Sequence, residues 1–166
     1  QCESNANILA VLSIARAYMF KSFKDFNTDD YIFSCANGVV DLNTGKLLEH
    51  DPKFLITQTS EVELSPTGSC PNFLNFLNDI TASDQKLIDY LQKLVGYCLT
   101  GSIKERAVFI MYGHGKNGKS TFLRILHDLM GDYAKAQSTQ TFMDKGNDSI
   151  RNDLARLHDT RLVTTS

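Results

Sequence analysis

The stretch AVFIMYGHGKNGKSTFLRILHDLMG, residues 107–131, decides the fold predicted for this chain. Residues 107–112 are continuously apolar, a pattern typical of a strand that is buried on both faces of a parallel sheet. Residues 119–130 place apolar side chains on one face of a helix that stops at Gly131. Between these two elements lies a glycine-rich loop. The order of strand, loop and helix predicts an α/β fold.

The loop and the first turn of the helix contain the pattern Gly-x-x-x-x-Gly-Lys-Ser, from Gly113 to Ser120. Glycines at 113 and 118 allow the backbone to curl, so that successive N–H groups and the helix N-terminus form one anion site. In such a site Lys119 contacts the β- and γ-phosphates of a nucleotide, and the Ser120 hydroxyl binds the bridging Mg²⁺. The predicted cofactors are therefore ATP and Mg²⁺.

The predicted nucleotide-binding residues share this one loop and the first helical turn. They are Gly113, His114, Gly115, Lys116, Asn117, Gly118, Lys119, Ser120 and Thr121, with Lys119 in the catalytic role and Ser120 as the Mg²⁺ ligand. His114 and Lys116 lie at the loop tip, where exposed side chains are also expected without any contact to phosphate. A strand-to-helix turn that binds no ligand is the alternative for the loop as a whole.

Composition indicates a folded chain without a broad nucleic-acid surface. The 166 residues are 42% hydrophobic and 22% charged, enough for a buried core, and the net charge of -2 has the wrong sign for an extended phosphate-binding face. The four cysteines are far apart and form no zinc pattern, which favours buried thiols over disulfides. The apolar run 8–20 is short for a membrane span and follows no cationic leader, so we expect a cytoplasmic protein without a membrane segment.

The remaining pattern predicts a small α+β region before the loop and further elements after it. We expect a partly buried amphipathic helix over 5–24, strands at 31–33, 38–42 and 46–48, another strand within 54–64, and helices over 71–80 and 83–99, the second capped by Ser83. After the loop, the pattern predicts a helix over 149–158 and a strand over 161–165. Tyr18, Phe20, Phe23 and Phe26 alternate with Lys21 and Lys24, as in a platform for single-stranded nucleic acid, but packing at a helix end is the preferred interpretation.

Several motifs resemble the helicase part of phage and plasmid primase-helicases, including poxvirus-type relatives, in helicase superfamily 3. The similar stretches are Ala36–Gly45, His50–Pro52, Leu94–Gly101, the loop 113–121, Asp153–Leu157 and Arg161–Val163. Asn117 before the Gly-Lys pair is the most telling feature of the loop.

The resemblance implies a ring-forming homo-oligomeric ATPase of the AAA+ type that unwinds DNA during replication in a bacterium or a virus-infected cell, often fused to an upstream primase. It also implies a domain division into residues 1–101, the region that precedes the helicase, and 102–166, the first half of an αβα P-loop domain. The chain begins at Gln1 and ends at Ser166 before the acidic residue of the Walker B strand, the sensor asparagine, the arginine finger and the DNA-binding hairpin. We therefore expect a piece of a longer protein that does not hydrolyse ATP by itself. A small-molecule kinase and a non-enzymatic, nucleotide-dependent assembly module remain the alternatives.

Overall fold

The computed structural model describes residues 4–143 and 152–165. This part of the chain is mixed α/β. In chain order the elements are α1 (Asn5–Tyr18), β1 (Ile32–Cys35), β2 (Gly38–Asp41), β3 (Lys46–Leu48), α2 (Pro71–Ile80), α3 (Gln85–Leu99), α4 (Lys119–Met130), β4 (Ala134–Gln137), α5 (Asn152–Ala155) and β5 (Leu162–Thr165). Short 3₁₀ turns cover Phe23–Asp25, Pro52–Phe54, Gly131–Tyr133 and Thr139–Phe142.

Strands β1, β2 and β3 form an antiparallel sheet in that order, which confirms the strands predicted near 31–33, 38–42 and 46–48. Asp41 fixes the β2–β3 turn, because its carboxylate accepts hydrogen bonds from Asn43 N at 2.9 Å and from Thr44 Oγ1 at 2.7 Å. These bonds, chiefly that from Thr44, lower the pKa of the Asp41 carboxyl. Gly45 completes the turn with φ 69°, a left-handed conformation that favours glycine.

Strands β4 and β5 form a separate parallel pair, with Ala134 opposite Leu162 and Gln137 opposite Thr165. The sequence predicted β5 but not β4, because Ala134–Gln137 alternates small and polar residues and lacks the apolar run of a buried strand. The predicted helix over 149–158 begins outside the described residues, and its described part is the single turn α5.

Helices α2 and α4 have the predicted bounds, and α3 begins slightly later than predicted. Asp84, rather than Ser83, is the N-cap of α3, since its side chain accepts hydrogen bonds from Lys86 N and Leu87 N. Ser83 has φ 60° and lies in the tight connection between α2 and α3. An aspartate cap satisfies two of the free N–H groups at the start of the helix.

Among the described residues, the hydrophobic core consists of two clusters, and each contains side chains from both sides of residue 101. The first joins the β1–β3 sheet to α3 and to the end of α4 through Phe33, Val40, Leu94, Met130 and Tyr133. The second joins α2 and α3 to α4. Its buried members are Leu77, Phe122 and Leu126, with Phe76 and Ile80 packed against them.

Arg161, just before β5, ties the first cluster together. Its guanidinium donates to Leu99 O at 2.5 Å and to Ile32 O at 2.7 Å, and it lies 4.6 Å from the centre of the Tyr133 ring. The Tyr133 hydroxyl donates to Gln58 O at 3.0 Å and accepts from Ser34 N at 3.1 Å. Burial raises the pKa of this hydroxyl and lowers that of the guanidinium. Arg161 and Tyr133 thus connect the N-terminal sheet to the C-terminal strand.

Three predicted elements are wrong or incomplete. Residues 107–112 form no strand, and Val108, Ile110 and Tyr112 are 87%, 81% and 90% exposed. A parallel strand is held by hydrogen bonds to neighbouring strands, and β4 and β5, the parallel strands of the described part, pair with each other. Residues 54–64 are also not a strand. They form a loop after the 3₁₀ turn, in which Ser60 donates hydrogen bonds from its backbone N–H to Ser34 O and from its hydroxyl to Leu129 O.

Helix α1 has Ser4 as its N-cap, ends at Tyr18 and has no buried residue, so the prediction of a partly buried helix over 5–24 was wrong. Tyr18 and Phe20 are 87% and 79% exposed and do not pack into a helix end as expected, whereas the Phe23 ring, 68% exposed, contacts His158. Apolar periodicity shows which face of a helix can be buried, but the covering surface must come from elsewhere.

Two of the cysteines are buried as expected. Burial raises the pKa of the Cys35 and Cys98 thiols, whereas Cys70 is exposed and corrects that prediction. Cys2 lies outside the described residues. Within residues 4–143 and 152–165, no helix has the length and apolar character that a bilayer crossing requires.

Candidate functional site

The predicted phosphate loop ends where α4 begins. Gly118 is the N-cap of α4, with φ 82°, and its carbonyl accepts the first helical hydrogen bond, from Phe122 N at 2.9 Å. The opposite face of α4 is anchored by Phe122, Leu126 and Met130, each at most 2% exposed. The open N–H groups of the first helical turn therefore stand at a fixed end of a well-packed helix.

The loop backbone has the conformation that its glycines were expected to permit. Gly113 and Gly118 have φ 142° and 82°, and Lys116 between them has φ 62°. A Cβ at residue 113 would lie 2.5 Å from Asn117 Nδ2, which is closer than real atoms approach. The φ of 142° therefore disfavours any other residue at Gly113, and a Cβ there would also displace the Asn117 amide.

The ammonium group of Lys119 folds back into the loop. It donates hydrogen bonds to Gly113 O at 3.0 Å, His114 O at 3.2 Å and Asn117 Oδ1 at 2.7 Å. These three acceptors match its three N–H groups. The positive charge is thus held at the centre of the loop, next to the backbone that would surround a bound anion.

The other predicted site residues are arranged around this ammonium and face solvent. His114, Gly115, Lys116, Asn117, Ser120 and Thr121 are exposed, and Gly118 and Lys119 are half-buried. Ser120 and Thr121 lie in the first turn of α4, as predicted. In the described part of the chain, His, Cys, Asp and Glu residues form no group of three or more that could bind a metal ion.

One side of the loop is closed by residues that the sequence did not identify. A Cβ at Gly118 would collide with Ile80 Cγ2 and would lie 3.2 Å from Phe76 Cε2. Both side chains come from the last turns of α2. The sequence predicted the helix over 71–80, but no local signal indicates that Phe76 and Ile80 lie against a loop nearly 40 residues further on.

Two aspartates outside the loop make local contacts. Asp51 accepts a hydrogen bond from Lys53 N at 2.9 Å at the start of a 3₁₀ turn. Asp159 accepts from Asn27 Nδ2 at 2.8 Å and pairs with His158. Asp159 therefore helps to hold the N-terminal segment against the approach to β5.

Comparisons with known proteins agree with the motifs. The family described as "D5 N terminal like" matches residues 1–82. A protein of Acanthamoeba polyphaga mimivirus named "Putative helicase L207/L206" is 26% identical over 137 residues, which cover 80% of this chain and 14% of the viral protein. The chain therefore spans about one seventh of that relative. The family match over residues 1–82 and the similarity to the viral protein support the D5-like primase-helicase family that the motifs resemble.

Proposed function

We propose that this chain is the ATP-binding portion of a DNA helicase of the primase-helicase type. The observation that carries the proposal is the loop from Gly113 to Thr121, in which a lysine ammonium, two glycines with positive φ and a helix N-terminus converge. Each of these features favours a bound anion, and together they suit the linked phosphates of a nucleotide.

The residues present fit Mg·ATP. Lys119 would exchange its loop acceptors for phosphate oxygens, the backbone N–H groups of the loop would surround the phosphates, and the exposed Ser120 hydroxyl would bind Mg²⁺. Bound Mg²⁺ would neutralise the negative charge that builds up on the phosphates during phosphoryl transfer. Ser120 contributes one ligand, so hydrolysis requires further groups that hold the ion and orient the attacking water.

The wider proposal concerns the longer protein. A viral relative named as a helicase and the family match at residues 1–82 support a role in DNA unwinding, with DNA as partner and a homo-oligomeric ring as the working form. We also propose the division into a helicase-preceding region, residues 1–101, and the first half of a P-loop ATPase domain, 102–166. ATPase activity of the longer protein that single-stranded DNA stimulates would separate a helicase from a kinase or an assembly module.

Nucleotide binding can be tested on the 166-residue chain itself. Mg·ADP at about 100 times its dissociation constant should stabilise the fold by about 2.7 kcal/mol, measured as a rise in melting temperature. Lys119→Ala should abolish the rise, because it removes the charge from the loop. Lys93→Ala, which changes an exposed lysine of α3, is the matched control and should retain it. A wild-type chain that is folded by circular dichroism but shows no rise would contradict the proposal.

A further inference from the structure

The contact between α2 and the phosphate loop is closer than ordinary packing. Gly118 has no side chain, and the space that a Cβ would take there is filled by Ile80 Cγ2, with Phe76 Cε2 beside it. Glycine is thus required at 118 for two separate reasons, the φ of 82° and the proximity of α2. The last residue before Lys119 is in direct contact with a helix of the D5 N-terminal-like region.

Helix α2 is itself firmly held. Pro71 begins it, Leu77 is buried in the cluster with Phe122 and Leu126, and the Thr81 hydroxyl closes its end by donating to Leu77 O at 2.7 Å. The same cluster fixes α4, which begins immediately after Gly118. The loop therefore enters α4 next to a surface of α2 that cannot shift without disturbing both helices.

We infer that Ile80 is a positioning residue for nucleotide binding, which holds Gly118 in the conformation that directs the loop N–H groups toward one point. The inference rests on the proposed function of the loop and assigns part of it to the preceding region. Glycine adopts positive and negative φ about equally readily, so Gly118 leaves the loop backbone free to take other conformations in which its N–H groups would not converge. Ile80 restricts access to them by occupying one side of Gly118.

The expected effect follows from the fraction of chains whose loop is competent to bind. If removing the Ile80 contact lowers this fraction to about one tenth, the apparent dissociation constant rises about tenfold. Ile80→Ala removes the Cγ2 methyl group that touches Gly118. Ile80→Val retains a methyl group at that place and loses only the end of the side chain, so it should bind Mg·ADP nearly as the wild type does.

The matched control is Leu74→Ala. Leu74 lies on the same helix, is 51% exposed, and should leave the dissociation constant unchanged. A second control separates positioning from general stability. Val39→Ala lies in β2, is 2% exposed, and should lower the melting temperature without changing the affinity measured well below it. If Val39→Ala weakens binding as much as Ile80→Ala, Ile80 is merely structural and the inference is overturned.

A double variant tests the contact directly. Gly118→Ala introduces both the collision with Ile80 and strain at positive φ, and Ile80→Ala relieves only the collision. Gly118→Ala should therefore weaken Mg·ADP binding less in the Ile80→Ala background than in the wild type. Strictly additive losses would show that the two residues act independently and would overturn the inference.

The outcomes separate this inference from the proposed function. If the wild type binds Mg·ADP, Lys119→Ala does not, and Ile80→Ala binds with the wild-type dissociation constant, the positioning role is overturned and the nucleotide site stands. If the folded wild type does not bind Mg·ADP, both proposals fail. The supporting result is a rise of about tenfold for Ile80→Ala with Ile80→Val, Leu74→Ala and Val39→Ala near the wild type.

Discussion

Strand β5 and residues 107–112 are two apolar stretches that the sequence predicts as strands of one parallel sheet, and only β5 forms a strand. β5 pairs with β4 along its whole length and is preceded by Arg161, whose backbone N–H donates to Tyr133 O at 2.9 Å. In 107–112, Met111 packs against the second core cluster, while Val108, Ile110 and Tyr112 are exposed. An apolar stretch forms a strand where a neighbouring strand pairs with it and a further contact holds it in place. Apolar composition alone predicts neither the neighbouring strand nor that contact.

The largest expected effect comes from removing the anchor of β5. Arg161→Met leaves the carbonyls of Leu99 and Ile32 without their donor and should lower the free energy of unfolding by about 2–4 kcal/mol, measured by urea denaturation. Arg124→Met changes an exposed arginine of α4 and should stay within about 0.5 kcal/mol of the wild type. Equal losses for the two variants would mean that Arg161 does not hold β5.

The same substitution in each stretch measures the contrast between them. Val163→Ala in β5 removes part of a half-buried side chain and should cost about 1 kcal/mol of unfolding free energy. Val108→Ala removes the same atoms from a residue that is 87% exposed and should change it by less than about 0.5 kcal/mol. A loss at Val108 as large as that at Val163 would show that residues 107–112 are covered in solution.

The smallest expected change in stability comes from charging the exposed stretch. Val108→Lys combined with Ile110→Lys should leave the free energy of unfolding within about 0.5 kcal/mol of the wild type. The pair should reduce self-association, because both residues are more than 80% exposed and contiguous apolar surface favours contact between molecules. Sedimentation velocity at several concentrations measures the self-association, with Lys104→Arg as a control that leaves the net charge unchanged. Unchanged association would exclude residues 107–112 as its source.

The elements that the sequence predicted correctly carry their determinants within a few residues. The β2–β3 hairpin has Asp41 and Gly45 in its own turn, and α4 has Gly118 at one end and Gly131 at the other. The predictions were wrong for residues 107–112, residues 54–64 and α1, because the burial or pairing of these segments depends on distant partners. Strand β4 was missed because its residues lack the usual apolar pattern and are placed by pairing with β5.

The candidate site divides in the same way. The motif identified the loop from Gly113 to Thr121, because the glycines and the lysine must stand at fixed spacing to surround phosphates. The bond from Lys119 to Asn117 Oδ1 was not predicted, although Asn117 was noted as unusual. Ile80 could not be found from sequence, since its contact with Gly118 joins two segments whose spacing has no repeated pattern.

The two hydrogen bonds of Arg161 also bear on the order in which the chain can assemble. They close segments of 62 and 129 residues, so the guanidinium links the middle and the beginning of the chain only after residue 161 has been synthesised. Closing the longer segment costs about 0.6 kcal/mol more in chain entropy, since its length is about twice that of the shorter one. The contact with α3 is therefore favoured to form first. On this entropic ground we expect the N-terminal sheet, which reaches Arg161 through Ile32, to make its contact with the guanidinium after α3 does.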